Sequence, residues 1–445
     1  MHRWIGIVAL GATLLFGCGD DDAPGMDGGP DGTADATPDA GDGGADAELA
    51  PLAVEVVTYS LSREGQEQPG SGARVEVWQA DGVTLQQTAD DQGRVSFEAV
   101  DFGPGPVAVT GYLTDLPLTS VVAVTAEDSP VALRIKRPIP VPPGVTVSGT
   151  AQHMTAAGNV LSVTASRPVT LNHQVGADYS LEVEQGRPLA LTYTEWWPGM
   201  IRSSGRGVNN TIFHWYWAPL PALADATTLD PDFDLAVTPE VVRGSFPIPT
   251  RPESPFQSEG IGFVGVTTRD SNLLYGLGLP THADITPDAT GFEYELEWIE
   301  VPGVIDPVTL YLLVNDPWQV DIWAFVLVDG YPTAGAQDIR FFDMPDLLSP
   351  GVGQSQGLHD PVRFRPYDDD FSAALQIHRY DEIAWEVYRL DGGGEIEVPP
   401  VPQGLDAEAL LGTEPLDAQV VLFELAPAGN YLRRATFSDY FTLLP

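Results

Sequence analysis

Short apolar or alternating segments of strand length, separated by turn residues, constrain the fold of this chain more than any other feature. AVEVVTYSL (53–61), RVSFEAV (94–100) and VALRIK (131–136) are three such segments. They are rich in β-branched and aromatic residues, and no strong helical period accompanies them. Gly (46 residues) and Pro (40 residues) punctuate the sequence and supply turns. This pattern predicts an all-β chain of tandem antiparallel β-sandwich domains.

A weak internal repeat indicates where the domains begin. VTVSGTAQ (145–152) and VVRGSFPI (241–248) each open a series of strands that later includes a Y-x-L-E strand. The length of 445 residues also calls for more than one hydrophobic core. We therefore predict three sandwich domains and a C-terminal β domain, at residues 51–138, 139–240, 241–350 and 351–445.

One short helix is predicted within the C-terminal β domain. The segment DAEALLG spans residues 406–412. Asp406 is a suitable N-cap, because its side chain can accept hydrogen bonds from the first free N–H groups of a helix. Gly412 is a suitable end, because glycine tolerates the backbone conformation that stops a helix.

The N-terminus carries the pattern of an exported bacterial protein. Arg3 precedes an uncharged run from Trp4 to Phe16, which is too short to span about 30 Å of hydrocarbon but suits a signal peptide at residues 1–17. The run ends in LFGC, which resembles the lipobox of bacterial lipoproteins. The resemblance implies that Cys18, the single cysteine, is linked to diacylglycerol and acylated, for example with palmitate. It also implies a cell-envelope location, and Gly19 after the cysteine favours the outer membrane.

The segment 18–50 is predicted to be a disordered tether between the lipidated cysteine and the folded domains. Residues 19–50 contain ten acidic residues, no basic residue and no aromatic residue. Such a segment cannot bury enough apolar surface to offset the entropy of ordering it. The spacing of its aspartates does not match a calcium-binding loop.

Charge and cysteine content narrow the classes of partner. The chain has 63 acidic and 21 basic residues, for a net charge of −42. A surface of this charge repels phosphate backbones, so nucleic-acid binding is not expected. One cysteine permits neither an intramolecular disulfide nor a zinc site built on several cysteines. The predicted membrane contact is through the N-terminal lipid, and no cofactor or metal is predicted.

The first predicted domain resembles a known type of module. Residues 72–113 read GARVEVWQADGVTLQQTADDQGRVSFEAVDFGPGPVAVTGYL. A strand after Gly, a turn, the pattern D-x-x-G-x-V-x-F and a Gly-Pro turn resemble the carboxypeptidase-regulatory-like and related prealbumin- or Ig-like modules. The resemblance implies an Ig-like sandwich that acts as a spacer or docking surface and carries no catalytic residues.

An aromatic cluster offers the strongest candidate for a ligand surface. If IFHWYWA (212–218) is a strand, Phe213, Trp215 and Trp217 share one face, and His214 and Tyr216 share the other. The rings could fill a sandwich core, or they could form a platform for a glycan or protein ligand together with the preceding TEWW and a polar loop. The residues predicted for that platform are Trp196, Trp197, Arg202, Arg206, His214 and Tyr216.

Three weaker patterns are interpreted as structural. Ser355 sits in a G-x-S-x-G match but lacks the strand and helix that a nucleophile elbow needs, so we expect a surface loop. The acidic and histidine residues of 359–382 include three adjacent aspartates, which cannot all face one metal ion. DPDFD at Asp230–Asp234 has Leu235 where a calcium loop needs glycine.

These patterns favour a membrane-anchored surface or periplasmic lipoprotein with a structural or ligand-binding role and no catalytic residues. The anchor and tether would hold a row of β-sandwich domains away from a membrane. The alternative is a carbohydrate-active or metal-assisted hydrolase whose carboxylates only the fold would bring together.

Overall fold

The fold is described from a computed structural model of the chain. The described residues are 49–59, 68–103, 105–137, 143–166, 169–186, 188–198, 210–238, 240–247, 260–268, 281–285, 291–298, 308–315, 322–329, 345–351, 353–365, 371–380, 382–425, 432–438 and 440–445. The predicted signal peptide, Cys18 and the tether lie outside them. Among the described residues, no helix is both long and apolar enough to span a membrane.

The first sandwich is built from two four-stranded sheets that enclose a valine-rich core. Its strands are β1 (Leu49–Tyr59), β2 (Gln68–Pro69), β3 (Arg74–Trp78), β4 (Thr84–Thr88), β5 (Arg94–Asp101), β6 (Val107–Tyr112), β7 (Leu118–Val124) and β8 (Val131–Lys136). One sheet places β2, β5 and β8 beside β1, and the other runs β4-β3-β6-β7. Alternate residues of β1 and β5 point into the core, among them Val54, Val56 and Phe97.

The D-x-x-G-x-V-x-F segment fixes the entry into β5. The Asp90 carboxylate accepts hydrogen bonds from the backbone N–H groups of Gln92 and Arg94, both at 2.8 Å, and so holds the turn. Gly93 follows with φ of +74°, and a Cβ there would lie 2.2 Å from the carbonyl oxygen of Val56. Glycine is therefore required both for the backbone conformation and for the close approach to β1.

The second sandwich packs a four-stranded sheet on a three-stranded sheet. Its strands are β9 (Gly144–Thr150), β10 (Val160–Ser166), β11 (Val169–Val175), β12 (Asp178–Glu184), β13 (Leu189–Pro198), β14 (Asn210–Leu220) and β15 (Thr227–Thr228). The sheets run β11-β10-β13-β14 and β12-β9-β15. Val163, Leu181, Leu191 and Tyr193 lie in the core between them. A short 3-10 helix at Phe233–Leu235 adds the buried Phe233 to that core.

Residues 240–329 contribute six strands to two sheets. They are β16 (Glu240–Pro247), β17 (Gly260–Thr268), β18 (Thr281–Ile285), β19 (Gly291–Trp298), β20 (Val308–Asn315) and β21 (Ile322–Asp329). β16 pairs with β19 in a two-stranded sheet. The other four run β18-β17-β20-β21 and continue into the C-terminal strands.

The C-terminal region adds nine strands and the predicted helix. These elements are β22 (Asp346–Ser349), β23 (Ser355–Gly357), β24 (Val362–Arg365), β25 (Ser372–Arg379), β26 (Glu382–Arg389), β27 (Glu395–Ile396), α1 (Ala407–Leu411), β28 (Leu416–Leu425), β29 (Leu432–Phe437) and β30 (Phe441–Leu444). The helix is confirmed with both predicted ends. The Asp406 carboxylate accepts from the N–H of Glu408 at 3.0 Å, and the Gly412 N–H bonds to the Glu408 carbonyl.

The first sandwich and the C-terminal region share one continuous sheet. β7 pairs in parallel with β26, which joins β4-β3-β6-β7 to the C-terminal strands β26-β25-β28-β29 in a 14-stranded sheet. The indole N–H of Trp385 donates to the Ser120 hydroxyl across this joint at 2.9 Å. All six residues of β6 are buried, because its second face is covered by the C-terminal core. A strand that is buried on both faces is usually apolar at nearly every position, and β6 follows this rule.

The predicted all-β class is confirmed, as are the strands on which it was based. Two details differ from the prediction. Among the strands that the structure describes, four pairs are parallel, including β1–β8 and β7–β26. The segment 435–444, predicted as one strand, forms the end of β29 and then β30. Ser438 separates them and bonds to the backbone of Val420, where the pairing of β28 passes from β29 to β30. The domain boundaries stay predictions.

Candidate functional site

A polar cluster lies at one end of the second sandwich, where β13 and β14 pair. Glu195 on β13 lies directly opposite His214 on β14, and Trp196 then pairs with Ile212. This irregularity leaves Phe213 as an extra residue in β14. Directly opposed residues of an antiparallel pair project from the same face, so Glu195 and His214 lie together.

Glu195 is a fully buried carboxylate that the surrounding chain satisfies with hydrogen bonds. One oxygen accepts from the N–H of Thr155 at 2.7 Å and from the Asn159 side chain at 2.5 Å. The other lies 2.7 Å from Nδ1 of His214. A buried charge without such partners would be strongly unfavourable, so these contacts determine the conformation of the 151–159 loop. We call Glu195, Thr155, Asn159 and His214 the Glu195 cluster.

The Glu195 carboxylate also orients the ring of His214, because one of its oxygens lies 2.7 Å from Nδ1. The ring stacks on Phe233 at a centroid distance of 5.5 Å and an interplanar angle of 20°. The side chain of His214 is 31% exposed. Glu195 and Phe233 therefore hold the His214 ring at a partly exposed position of the surface.

A second group of titratable side chains joins this loop to the segment that contains the Phe233–Leu235 helix. Nδ1 of His153 lies 2.6 Å from an oxygen of Asp232 and 3.3 Å from an oxygen of Asp234. The hydrogen bond with Asp232 raises the pKa of His153, and the same contact lowers the pKa of Asp232. We call these three residues the His153 cluster. Asp232 and Asp234 flank Phe233, so the stacked ring links the two clusters.

The residues of the predicted ligand platform take different positions. Trp196 is half-buried and donates from its indole nitrogen to the Ser162 hydroxyl at 2.6 Å. Tyr216 is also half-buried, packs against the core of the second sandwich and lies 5.8 Å from the ring of Tyr193. Trp197 belongs to β13 and is paired with Thr211. Arg202 and Arg206 lie outside the described residues. Ligand binding by this set stays a prediction.

The two faces of β14 match neither a strand that only fills a core nor one that only forms a ligand platform. His214 and Tyr216 lie on the face that includes Glu195 and Tyr193, and both contact residues of the sandwich core. Trp215 lies on the opposite face and is only 2% exposed. Both faces of the strand are therefore covered to a large degree. His214 and Tyr216 are half-buried.

The three patterns interpreted as structural each include residues whose positions the structure describes. Ser355 begins the short strand β23, which pairs with β30, rather than a loop. Nδ1 of His359 contacts the Val398 carbonyl at 2.9 Å, and His378 is buried on β25, whereas Asp368–Asp370 lie outside the described residues. Asp232 caps the 3-10 helix at Phe233–Leu235 by accepting from the Asp234 N–H. Its contact with His153 is an additional feature that the prediction did not include.

Sequence reasoning missed Glu195, Thr155, Asn159 and His153. The hydrogen-bond partners in the two clusters are 19 to 79 residues apart, so no local motif unites them. One signal was present in the strand LALTYTEWW. Glu195 occupies the same alternation as Leu191 and Tyr193, and a charged residue on the core side of a strand indicates a buried, hydrogen-bonded carboxylate.

No family model matches this chain, and no curated protein matches its sequence. Among solved structures, the shaft pilin SpaA of Lactobacillus rhamnosus GG matches at 8% identity and a TM-score of 0.16, over 41% of this chain and 97% of that chain. The minor pilin GBS52 of Streptococcus agalactiae matches at 9% and 0.15, over 46% and 100%. A DUF3823 family protein of Bacteroides ovatus matches at 10% and 0.13, over 42% and 98%. TM-scores of this size do not establish a shared fold, and no function follows from them.

Proposed function

We propose that the protein is a lipid-anchored, non-catalytic component of a bacterial cell envelope that presents a ligand-binding surface on its second sandwich. The anchor is Cys18, the ligand is a glycan or a protein, and the favoured location is the outer membrane. The proposal combines the LFGC sequence with a rigid β scaffold that begins directly after the tether.

The pairing of β7 with β26 is the observation that supports a structural, displaying role. The tether leads into β1, and β1 belongs to a sandwich whose other sheet continues into the C-terminal strands. Hydrogen bonds and a shared core join two parts of the chain that are 265 residues apart at Trp385 and Ser120. A scaffold whose distant segments share one sheet and one core suits the display of surfaces on a tether.

The end of the second sandwich supports a binding role. His214 and Tyr216 are half-buried, and contacts with the buried Glu195 and Tyr193 hold their rings. Rings that are already fixed lose little conformational entropy when a ligand packs against them. Aromatic side chains with a polar tip suit contacts with sugars and with polypeptides alike.

The anchor is tested with Cys18→Ser in the full-length protein. We expect loss of labelling by a clickable palmitate analogue and release from the membrane fraction, because only a thiol forms the thioether. Gly19→Ala is the matched control and should keep both properties. Labelling of Cys18→Ser equal to the wild type would exclude the anchor.

The binding surface is tested on a glycan array and with a library of surface peptides. A ligand found on either is then titrated against Trp197→Ala and Tyr216→Phe, which should weaken binding about 10-fold, or roughly 1.4 kcal/mol. Trp217→Ala on the opposite face of β14 is the control. Equal affinity of all variants would exclude this surface, and hydrolysis of an arrayed glycan would favour the alternative function as a hydrolase.

A further inference from the structure

The His153 cluster has the donor atoms and spacing of a metal site. Three donor atoms lie within 4.8 Å of one another: a ring nitrogen of His153, a carboxylate oxygen of Asp232 and a carboxylate oxygen of Asp234. Metal–ligand bonds of about 2.0–2.2 Å in tetrahedral geometry place neighbouring donor atoms roughly 3.3–3.6 Å apart. The distances from Nδ1 of His153 to the two carboxylates are 2.6 and 3.3 Å, so the donor atoms need to separate by no more than about 1 Å to reach that spacing. Small side-chain rotations would therefore suffice to bind an ion.

The backbone holds the two contributing segments together without an ion. The N–H of Gln152 donates to the Pro231 carbonyl at 2.8 Å, and the N–H of Phe233 donates back to Gln152 at 3.2 Å. The buried ring of Phe233, which stacks on His214, anchors the short helix between the two aspartates. A site whose ligands are already positioned pays little ordering entropy when the ion binds.

The donor set indicates the class of ion. One imidazole nitrogen with two carboxylates suits Zn²⁺ and similar divalent transition metals, whereas Ca²⁺ prefers six to eight oxygen ligands. Two carboxylates and a neutral imidazole balance the charge of a divalent ion. The side chains of His153, Asp232 and Asp234 are 53%, 35% and 71% exposed, so water can complete the coordination.

We propose that His153, Asp232 and Asp234 bind one divalent transition-metal ion, such as Zn²⁺, that clamps the 151–159 loop onto the Phe233–Leu235 helix. This inference goes beyond the proposed function and does not depend on Cys18 or on any glycan. Binding at Nδ1 displaces the proton shared with Asp232, so a protonated His153 releases one proton for each ion bound. Affinity is therefore expected to fall as the pH decreases.

The test is calorimetric titration of the full-length, chelator-treated protein with ZnCl₂ at pH 7.5. We expect one site that His153→Gln and Asp234→Asn each weaken at least about 10-fold, the range seen even for outer-shell changes. His359→Gln, an exposed histidine bonded to a backbone carbonyl, is the matched control and should leave this site unchanged. Titration with CaCl₂ should give weaker binding than titration with ZnCl₂.

Asp234→Asn also distinguishes the loss of a metal ligand from a loss of folding. Its carboxylate is largely exposed, and the helix cap uses its backbone N–H and the Asp232 side chain, so the far-UV circular dichroism should match the wild type. No heat of Zn²⁺ binding in the wild type, or equal affinity in His153→Gln, would overturn the proposal. The cluster would then be a hydrogen-bonded ion pair only.

Discussion

Replacing Trp385 tests whether the first sandwich and the C-terminal strands unfold as one unit. Its side chain is completely buried in a core that includes Leu118 and Val122 of β7 as well as C-terminal residues. Trp385→Ala removes most of that side chain and leaves a cavity, which costs about 3–5 kcal/mol. Because β26 pairs with β7, we expect the loss of stability to appear both in the first sandwich and in the C-terminal strands.

A smaller change at the same position separates packing from hydrogen bonding. Trp385→Phe keeps an aromatic ring but removes the indole donor to Ser120. The Ser120 hydroxyl retains its hydrogen bond with Thr110 at 2.8 Å, so it is not left without a partner. We therefore expect Trp385→Phe to cost only about 1–2 kcal/mol.

Native-state hydrogen exchange followed by mass spectrometry measures both effects. Peptides from β6–β7 and from β25–β26 should report the same opening free energy, and both should fall by the same amount in Trp385→Ala. Trp217→Ala in the second sandwich is the control and should leave these peptides unchanged. If Trp385→Ala lowers the protection of β25–β26 while β6–β7 keeps the protection of the wild type, the two regions do not unfold as one unit.

Three further predictions concern single positions. Gly93→Ala should cost about 3 kcal/mol or more in urea unfolding, because its Cβ would meet the Val56 carbonyl, whereas Gly82→Ala has open space and should cost only about 1 kcal/mol; equal costs would contradict this. Burial raises the pKa of the Glu76 carboxyl, so its contribution to stability is present at low pH and lost as the pH rises through the folded pKa. Glu76→Gln should therefore stabilise the fold more at pH 7 than at pH 4 in urea unfolding, and an equal effect at both pH values would disprove it. Asp406→Ala removes the N-cap of α1 and should cost about 1 kcal/mol in thermal unfolding, with an unchanged midpoint as the contrary result.

The Glu76 prediction depends on a contact that the sequence does not reveal. One oxygen of its carboxylate accepts from the Gln86 side chain at 2.9 Å and from the N–H of Gln403 at 2.8 Å. Glutamine keeps an oxygen for both donors and removes the buried charge, so the pH dependence should disappear with little loss of packing.

Sequence patterns predicted much of the secondary structure because its causes are local. Alternation in RVSFEAVD predicted β5, whose Val95 and Phe97 are buried, and the turn residues before it occupy the expected turn. Asp406 and Gly412 predicted both ends of α1. Each of these signals depends on residues within a few positions of one another, where side-chain period and capping chemistry act directly.

The candidate site was predictable only in part. The TEWW and IFHWYWA segments contain Glu195, His214 and Tyr216 of the candidate site, and ligand binding there stays a prediction. The partners that define its chemistry, Glu195 and Asp232 among them, come from positions that appear ordinary in the sequence. Which of them meet depends on strand pairing and on an extra residue in β14.

The sequence by itself determined the all-β class, most of the strands and turns on which that class was based, and the short helix α1, because these depend on periodicity and on the conformational limits of Gly, Pro and Asp. Only the tertiary structure decided that the first sandwich joins the C-terminal strands through β7 and β26, and that His153 meets Asp232 and Asp234. Apolar strands can pair with many others at similar energy. The choice among partners is made by the core that all strands fill together, and no local pattern encodes it.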